Sequence, residues 1–228
     1  MIAPQLRQEI LDACRVLMHF RMVEGFGHVS ARLPDEDHIA ITPRTALALV
    51  RPEDLVVLDL AGRQVEGSAR PPLETPMHLA VYQRRPDVQA MCRAHPRHVA
   101  AFAAAAEPLR CAHGFGANLG AEVPVFPEPV LVDTPQLGER MADALGQADA
   151  VIVRSSGMLA VGQSVPDAVV RALFLEEMAA VELLARGGGL RPAYLTRAQV
   201  AFRRGSDQAH EPLRAWEFYR ATALGEVL

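Results

Sequence analysis

Residues 88–106 read VQAMCRAHPRHVAAFAAAA. The first five residues are a mainly apolar run of strand length. Pro96 then stands where a helix can begin, and an alanine-rich apolar pattern follows. A buried strand that passes straight into a helix is the unit of a layered α/β protein. The polar residues of this stretch fall at the hand-over. Arg93 and His95 lie two apart, and His98 lies one helical turn beyond His95. Histidines so spaced are candidate metal ligands on a turn-to-helix junction, but Arg93 puts a permanent cation beside them.

Working outward, residues 4–23 show the periodicity of an amphipathic helix. EGFGHVSARLP (24–34) follows, and its glycines read as a break, which places His28 and Ser30 in a glycine-flanked loop. HIAIT (38–42) and LVVLDL (55–60) read as strands. ETPMHLAVYQRR (74–85) reads as a helix with Pro76 in its first turn. Beyond residue 106, EVPVFPE (122–128) is short and extended, and QLGERMADAL (136–145) is helical. AVIVR (150–154) and MLAVG (158–162) are strands joined by SSG, and residues 165–189 form a long helix stopped by three glycines. Two helical pieces close the chain. Strands and helices mix without a strict β-α-β period. The expected fold is a single three-layer α/β/α domain with a mixed, mainly antiparallel sheet, spanning residues 1–189, with a C-terminal helical extension over 190–228.

The chain has 228 residues, half of them hydrophobic, and a formal net charge of −4 with no lysine among its cations. Its charges are mixed along the chain, with no clustered basic patch, so nucleic acid is not an expected partner. No apolar run is long enough to span a membrane, and no targeting segment is visible. Three widely spaced cysteines, Cys14, Cys92 and Cys111, give no disulfide framework and fit a reduced, cytoplasmic protein. GFGHVS lacks the third glycine of a dinucleotide fingerprint.

Six segments in order resemble the class II aldolase/adducin family: GHVSAR (27–32), ITP (41–43), PEDLVVLDLAGRQVEG (52–67), PPLETPMHLAVYQRRPDV (71–88), RAHP (93–96) and VIVRSSGMLAVG (151–162). The likeness runs from about residue 5 to 186. It implies an α/β/α domain, a bacterial enzyme and a homotetramer with active sites between subunits. It also implies a divalent metal held by three histidines beside an acid/base glutamate, polarising a carbonyl as a carbon–carbon bond breaks.

The family's glutamate corresponds to Glu74, and one metal histidine corresponds to His95. The other two positions hold Arg93 and Ser156. Arginine has no lone pair to give a metal, so no cofactor is expected. Were zinc, manganese or iron bound, His95 would need new partners among His28, His78, His98 and His113. The sugar-phosphate branch has asparagine where His28 stands, glycine where Thr45 stands, and serines where Pro72 and Leu73 stand. GHVSAR and PPLE look closer to the aromatic-acid decarboxylase branch.

The expected function is a carbon–carbon lyase, a decarboxylase or retro-aldolase, acting on a small hydroxy, keto or aromatic carboxylic acid. Glu74, His95 and Arg93 are its expected catalytic residues, with Arg93 replacing the metal's charge and holding the anion. Substrate contacts are expected from His28, Ser30, Arg44, Thr45 and Ser156. Each has a plainer alternative: a salt bridge for Arg93, a helix-start carboxylate for Glu74, a packed or surface ring for each histidine. Two further classes stay open. One is a non-catalytic, adducin-like scaffold. The other is an isomerase, dehydratase or oxygenase built on the same fold.

Overall fold

The computed structural model describes residues 1–205 and 211–227. Helix α1 (Pro4–His19) is followed by strands β1 (His28–Arg32), β2 (His38–Ile41), β3 (Val56–Asp59) and β4 (Gln64–Glu66). Helix α2 (Thr75–Arg84) leads to β5 (Ala90–Ala94) and α3 (Arg97–Ala105). The short strands β6 (Leu109–Arg110), β7 (Glu122–Val123) and β8 (Val125–Phe126) precede α4 (Pro135–Leu145). Strands β9 (Ala150–Val153) and β10 (Gly157–Gly162) then lead to α5 (Val165–Gly187), α6 (Arg197–Gly205) and α7 (Glu211–Leu224).

The central sheet has the order β4-β3-β2-β1-β5-β10-β9-β8. Every pairing in it is antiparallel except β8 with β9. β6 and β7 form a separate antiparallel pair. Strand β5 thus lies at the middle of the sheet. Because side chains alternate across a strand, Ala90, Cys92 and Ala94 face one helical layer while Met91 and Arg93 face the other. The first layer holds α1, α3, α5 and α7, with Leu17, Phe102, Phe174 and Trp216 in its core. The second holds α2 and α4, with Met77, Tyr82, Met141 and Leu159. Burying one such aliphatic side chain contributes about 1.5–3 kcal/mol. Two layers of them close both faces of the sheet and make the three-layer α/β/α architecture.

The helix starts follow local chemistry. Prolines occupy the first turns of α1, α2, α4 and α5, where no amide donor is needed. Thr134 and Ser164 cap α4 and α5 by accepting from the backbone N–H of Leu137 and Asp167. Described residues beyond α5 pack on the same body. Leu195 N–H donates to the Cys111 carbonyl, and Trp216 of α7 is buried among the α1 and α5 side chains. All three cysteines are buried free thiols. No described helix is long and apolar enough to cross a membrane.

One expectation is corrected here. His28 and Ser30 do not sit in a loop; they belong to β1, every residue of which is buried. The glycines end just before the strand. Polar side chains at alternate positions His28, Ser30 and Arg32 hide it from a hydrophobic-pattern reading, because they face the sheet's second layer and find partners there.

Candidate active site

Arg93 lies opposite His28 on β1 and Leu159 on β10. Its side chain is fully buried on the α2 face. Nη1 donates to the carbonyls of Ala94 (3.1 Å) and Met158 (3.2 Å). Nη2 donates to Ser156 Oγ (2.7 Å) and Glu74 Oε1 (3.3 Å). Only Nε has no partner among the described residues.

Glu74 is the residue just before α2, where the helix dipole favours an anion. Its other oxygen, Oε2, lies 3.4 Å from His28 Nε2. Burial alone would raise this carboxyl's pKa. The hydrogen bond from His28 and the charge of Arg93 outweigh it, and the pKa falls to about 2. Glu74 is therefore ionised at neutral pH even though its side chain is only 8 % exposed.

Behind His28 runs a line of buried polar contacts. His28 Nδ1 is 2.9 Å from His78 Nε2. His78 Nδ1 is 2.7 Å from Ser30 Oγ, and Ser30 Oγ is 2.9 Å from the Tyr82 hydroxyl. Burial lowers the pKa of both histidines, so both rings are neutral at neutral pH. His78 and Tyr82 stand four apart on α2, one helical turn, and His28 and Ser30 stand two apart on β1. The two periodicities bring the four side chains together.

His95 follows β5. Its Nδ1 is 2.7 Å from the Ser156 carbonyl, which can only accept, so Nδ1 carries the proton and Nε2 is a bare acceptor. Burial and then the charge of Arg93 bring its pKa down to about 4. Gly157 makes this approach possible. At its φ of +156° a Cβ would stand 2.4 Å from the Ala94 carbonyl oxygen and 3.1 Å from His95 Nδ1.

Above these groups is a cavity of about 400 Å³. Its polar wall is His28, Arg44, Thr45, Glu74 and His95; its apolar wall includes Phe26, Pro43, Pro72, Leu73 and Leu131. The structure thus brings Glu74, His95, His28, Arg44 and Thr45 to one space. Five other expected residues lie outside that space. Arg93 is not among the residues lining the cavity, and its Nη donors go to Glu74, Ser156 and the carbonyls of Ala94 and Met158. Ser156 spends its hydroxyl on Arg93, and Ser30 is fully buried between His78 and Tyr82. His98 does not share a cleft with His95. Its Nδ1 meets Glu176 of α5 at 2.7 Å, because the helix begins only at Arg97 and the turn spacing between the two histidines does not hold. His113 stacks edge-on against Phe115, and its buried Nδ1 has no partner among the described residues.

The residues do not fit the metal centre the resemblance implies. At two of its three histidine positions stand Arg93 and Ser156, hydrogen-bonded to each other. Among the described residues no three His, Cys, Asp or Glu side chains gather as a ligand set. His28 and His78 spend their facing nitrogens on each other.

The sequence matches the family described as Class II Aldolase and Adducin N-terminal domain over residues 8–183. The chain belongs to that family. It is 35% identical over 199 residues to a 3,4-dihydroxyphthalate decarboxylase of Terrabacter sp. (strain DBF63), covering 80% of this chain and 82% of that one. It is 29% identical over 196 residues to the L-ribulose-5-phosphate 4-epimerase UlaF of Salmonella paratyphi C (strain RKS4594), covering 80% and 86%. A solved L-fuculose 1-phosphate aldolase superposes with a TM-score of 0.84 at 29% identity, covering 89% of this chain and 96% of that one. Its relatives are enzymes of small-molecule chemistry, which agrees with a small-molecule substrate here.

Proposed function

We propose that this chain is a carbon–carbon lyase that decarboxylates a small hydroxylated, preferably aromatic, carboxylic acid without a three-histidine metal centre. The observation that carries the reading is an ionised Glu74 on the wall of an open cavity, held between Arg93 and His28. The decarboxylase relative at 35% identity supports the class. Pro72, Leu73, Phe26 and Leu131 on the wall suit an aromatic ring better than a phosphorylated sugar.

The chemistry needs one proton moved twice. Glu74, ionised at neutral pH, accepts the hydrogen bond of a substrate hydroxyl and takes its proton only as charge develops in the bond-breaking step. The bond to the carboxylate carbon breaks, carbon dioxide leaves, and the electron pair stays on the ring or α-carbon. Glu74 then returns the same proton to that carbon, so the step balances. Bare His95 Nε2 accepts from a second hydroxyl, and Arg44 holds a carboxylate that does not react. Arg93 keeps Glu74 ionised. Retro-aldol cleavage of a β-hydroxy acid uses the same take-and-return of one proton at Glu74.

Homotetramer assembly, with neighbouring subunits completing each site, belongs to the same proposal. What supports it is Phe26, which lines the cavity yet is 81% exposed, beside exposed Leu73 and Leu131. The test is a panel of aromatic and aliphatic hydroxy- and keto-carboxylates, scored for released carbon dioxide or aldehyde. The proposal expects turnover of at least one compound and a loss of roughly 10²–10⁴ in kcat for Glu74→Gln. An equal rate for Glu74→Gln would overturn it. Neither turnover nor binding of any compound would favour a non-catalytic scaffold.

A further inference from the structure

We infer that Tyr82, Ser30 and His78 are positioning residues that act through His28, forming a one-way hydrogen-bond chain that fixes a single tautomer at both rings and aims a donor at Glu74. The inference rests on the reading of Glu74 as the base.

The direction follows from what each end permits. The Tyr82 hydroxyl is enclosed, and its one hydrogen-bond partner among the described residues is Ser30 Oγ. A buried hydroxyl left without an acceptor is costly, so Tyr82 donates to Ser30. Ser30 has one proton, which then goes to His78 Nδ1 at 2.7 Å. His78, neutral, must carry its proton on Nε2 and donates to His28 Nδ1 at 2.9 Å. His28, neutral in turn, carries its proton on Nε2, facing Glu74 Oε2. At the opposite end the carboxylate demands the same answer. A bare His28 Nε2 facing an anion would set lone pair against lone pair. Both ends orient the chain the same way, and nothing between them has a free choice.

The chain is a clamp and not a conduit. Supplying a proton from its far end would leave a phenolate at Tyr82, and burial pushes that phenol's pKa well above its ordinary value. No described group beyond Tyr82 can replace the proton. Its effect is therefore geometric and electrostatic: each donor polarises the next, and His28 is held to one edge of the base. The cost of a wrong tautomer at a catalytic histidine elsewhere shows how much such a constraint is worth.

The measurement is ¹⁵N-detected NMR of the histidine rings at neutral pH, which reads which nitrogen carries the proton without any substrate. The chain requires Nε2–H at both His28 and His78. An Nδ1–H ring, or an imidazolium, at either position overturns the inference, whatever the enzyme's substrate proves to be. In Glu74→Gln the tyrosine end alone should hold both rings as Nε2–H. In Glu74→Gln combined with Tyr82→Phe, neither end is fixed, and both tautomers should appear. Mixed tautomers already in Glu74→Gln would refute a role for Tyr82 and Ser30. Kinetically, His78→Leu should lower kcat roughly 10–100-fold with little change in KM. His78→Gln, whose amide can still donate to His28, should restore most of it. Equal rates for the two variants would reduce His78 to a packing residue. If neither they nor the unaltered chain turn over any acid while the rings read Nε2–H, the lyase reading fails and the chain stands.

Discussion

Replacing Arg93 with methionine should be the most destabilising single change in the site. Arg93 is fully buried and Glu74 nearly so, and their contact is 3.3 Å. Methionine fills much of the same volume but leaves the carboxylate with only His28. Removing one partner of a buried ion pair typically costs about 3–5 kcal/mol. An independent route gives a similar figure. The fall of the Glu74 pKa from 4.5 to about 2 corresponds to roughly 3 kcal/mol of folding stability at neutral pH. Only part of that comes from Arg93, but the Ala94, Met158 and Ser156 acceptors also lose their donor. For a chain of this size each kcal/mol moves Tm by about 2–4 °C, so a loss of roughly 6–20 °C is expected. The assay is thermal and urea unfolding by circular dichroism, with all variants at one protein concentration so that assembly does not bias the comparison. The double variant Arg93→Met with Glu74→Gln removes both charges and should recover a substantial part of the loss. A cost below about 1 kcal/mol for Arg93→Met, or a double variant less stable than Arg93→Met alone, would refute the claim that Arg93 neutralises Glu74.

Three further outcomes follow from the same geometry. Arg44→Met should raise KM for carboxylate substrates and leave kcat nearly unchanged, since Arg44 lines the cavity and is not one of the partners that hold Glu74, which are Arg93 and His28; steady-state kinetics reads the split. His95 is neutral in the folded protein down to pH about 4, whereas the unfolded chain takes up that proton near 6.5. The unfolded state therefore binds more protons between those values, and stability present above pH 6.5 is lost as pH falls towards 4. Glu74, whose pKa is depressed, gives the same sign in a lower window, between 4.5 and about 2. Urea midpoints across pH 7 to 4 should fall less steeply in His95→Gln than in the unaltered chain, and an identical slope would count against a buried, neutral His95. Gly157→Ala should destabilise the chain and disturb the His95 contact, because its Cβ meets the Ala94 carbonyl oxygen at 2.4 Å; a wild-type Tm would argue that β10 can shift at no cost.

Much of the fold was legible because its helices and central strands follow simple periods. Pro76, Pro96 and Pro166 marked helix starts that lie within a residue or two of α2, α3 and α5. What failed to read was β1. Its alternate polar residues serve the site and not the core, so the pattern that announces a strand was spent on function. Strand β4 was missed for a different reason: three partly exposed polar and apolar residues carry no period. Glu74 and His95 are recognisable by likeness to a family, Thr45 as the replacement of a family glycine, and Arg44 only as a cation just after ITP. Tyr82 was not singled out, and Ser30 was assigned to substrate, because a contact across about fifty residues has no local signal. Arg93 stands out in the sequence as a charge in an unusual place, but the sequence does not show that it pairs with Glu74 out of reach of solvent. Type and position were visible in the chain; that four of its donors were already engaged was not.

The central claim is that a buried Arg93–Glu74 pair, and no metal, sets up the reacting carboxylate. The most direct test follows carbon dioxide release from the best acid of the panel by protein stripped with a strong chelator, then supplemented in turn with zinc, manganese or iron, with bound metal measured in each sample. The account expects the same rate in stripped and supplemented protein and less than stoichiometric metal throughout. Activity that disappears on stripping and returns with one metal bound per chain would contradict it.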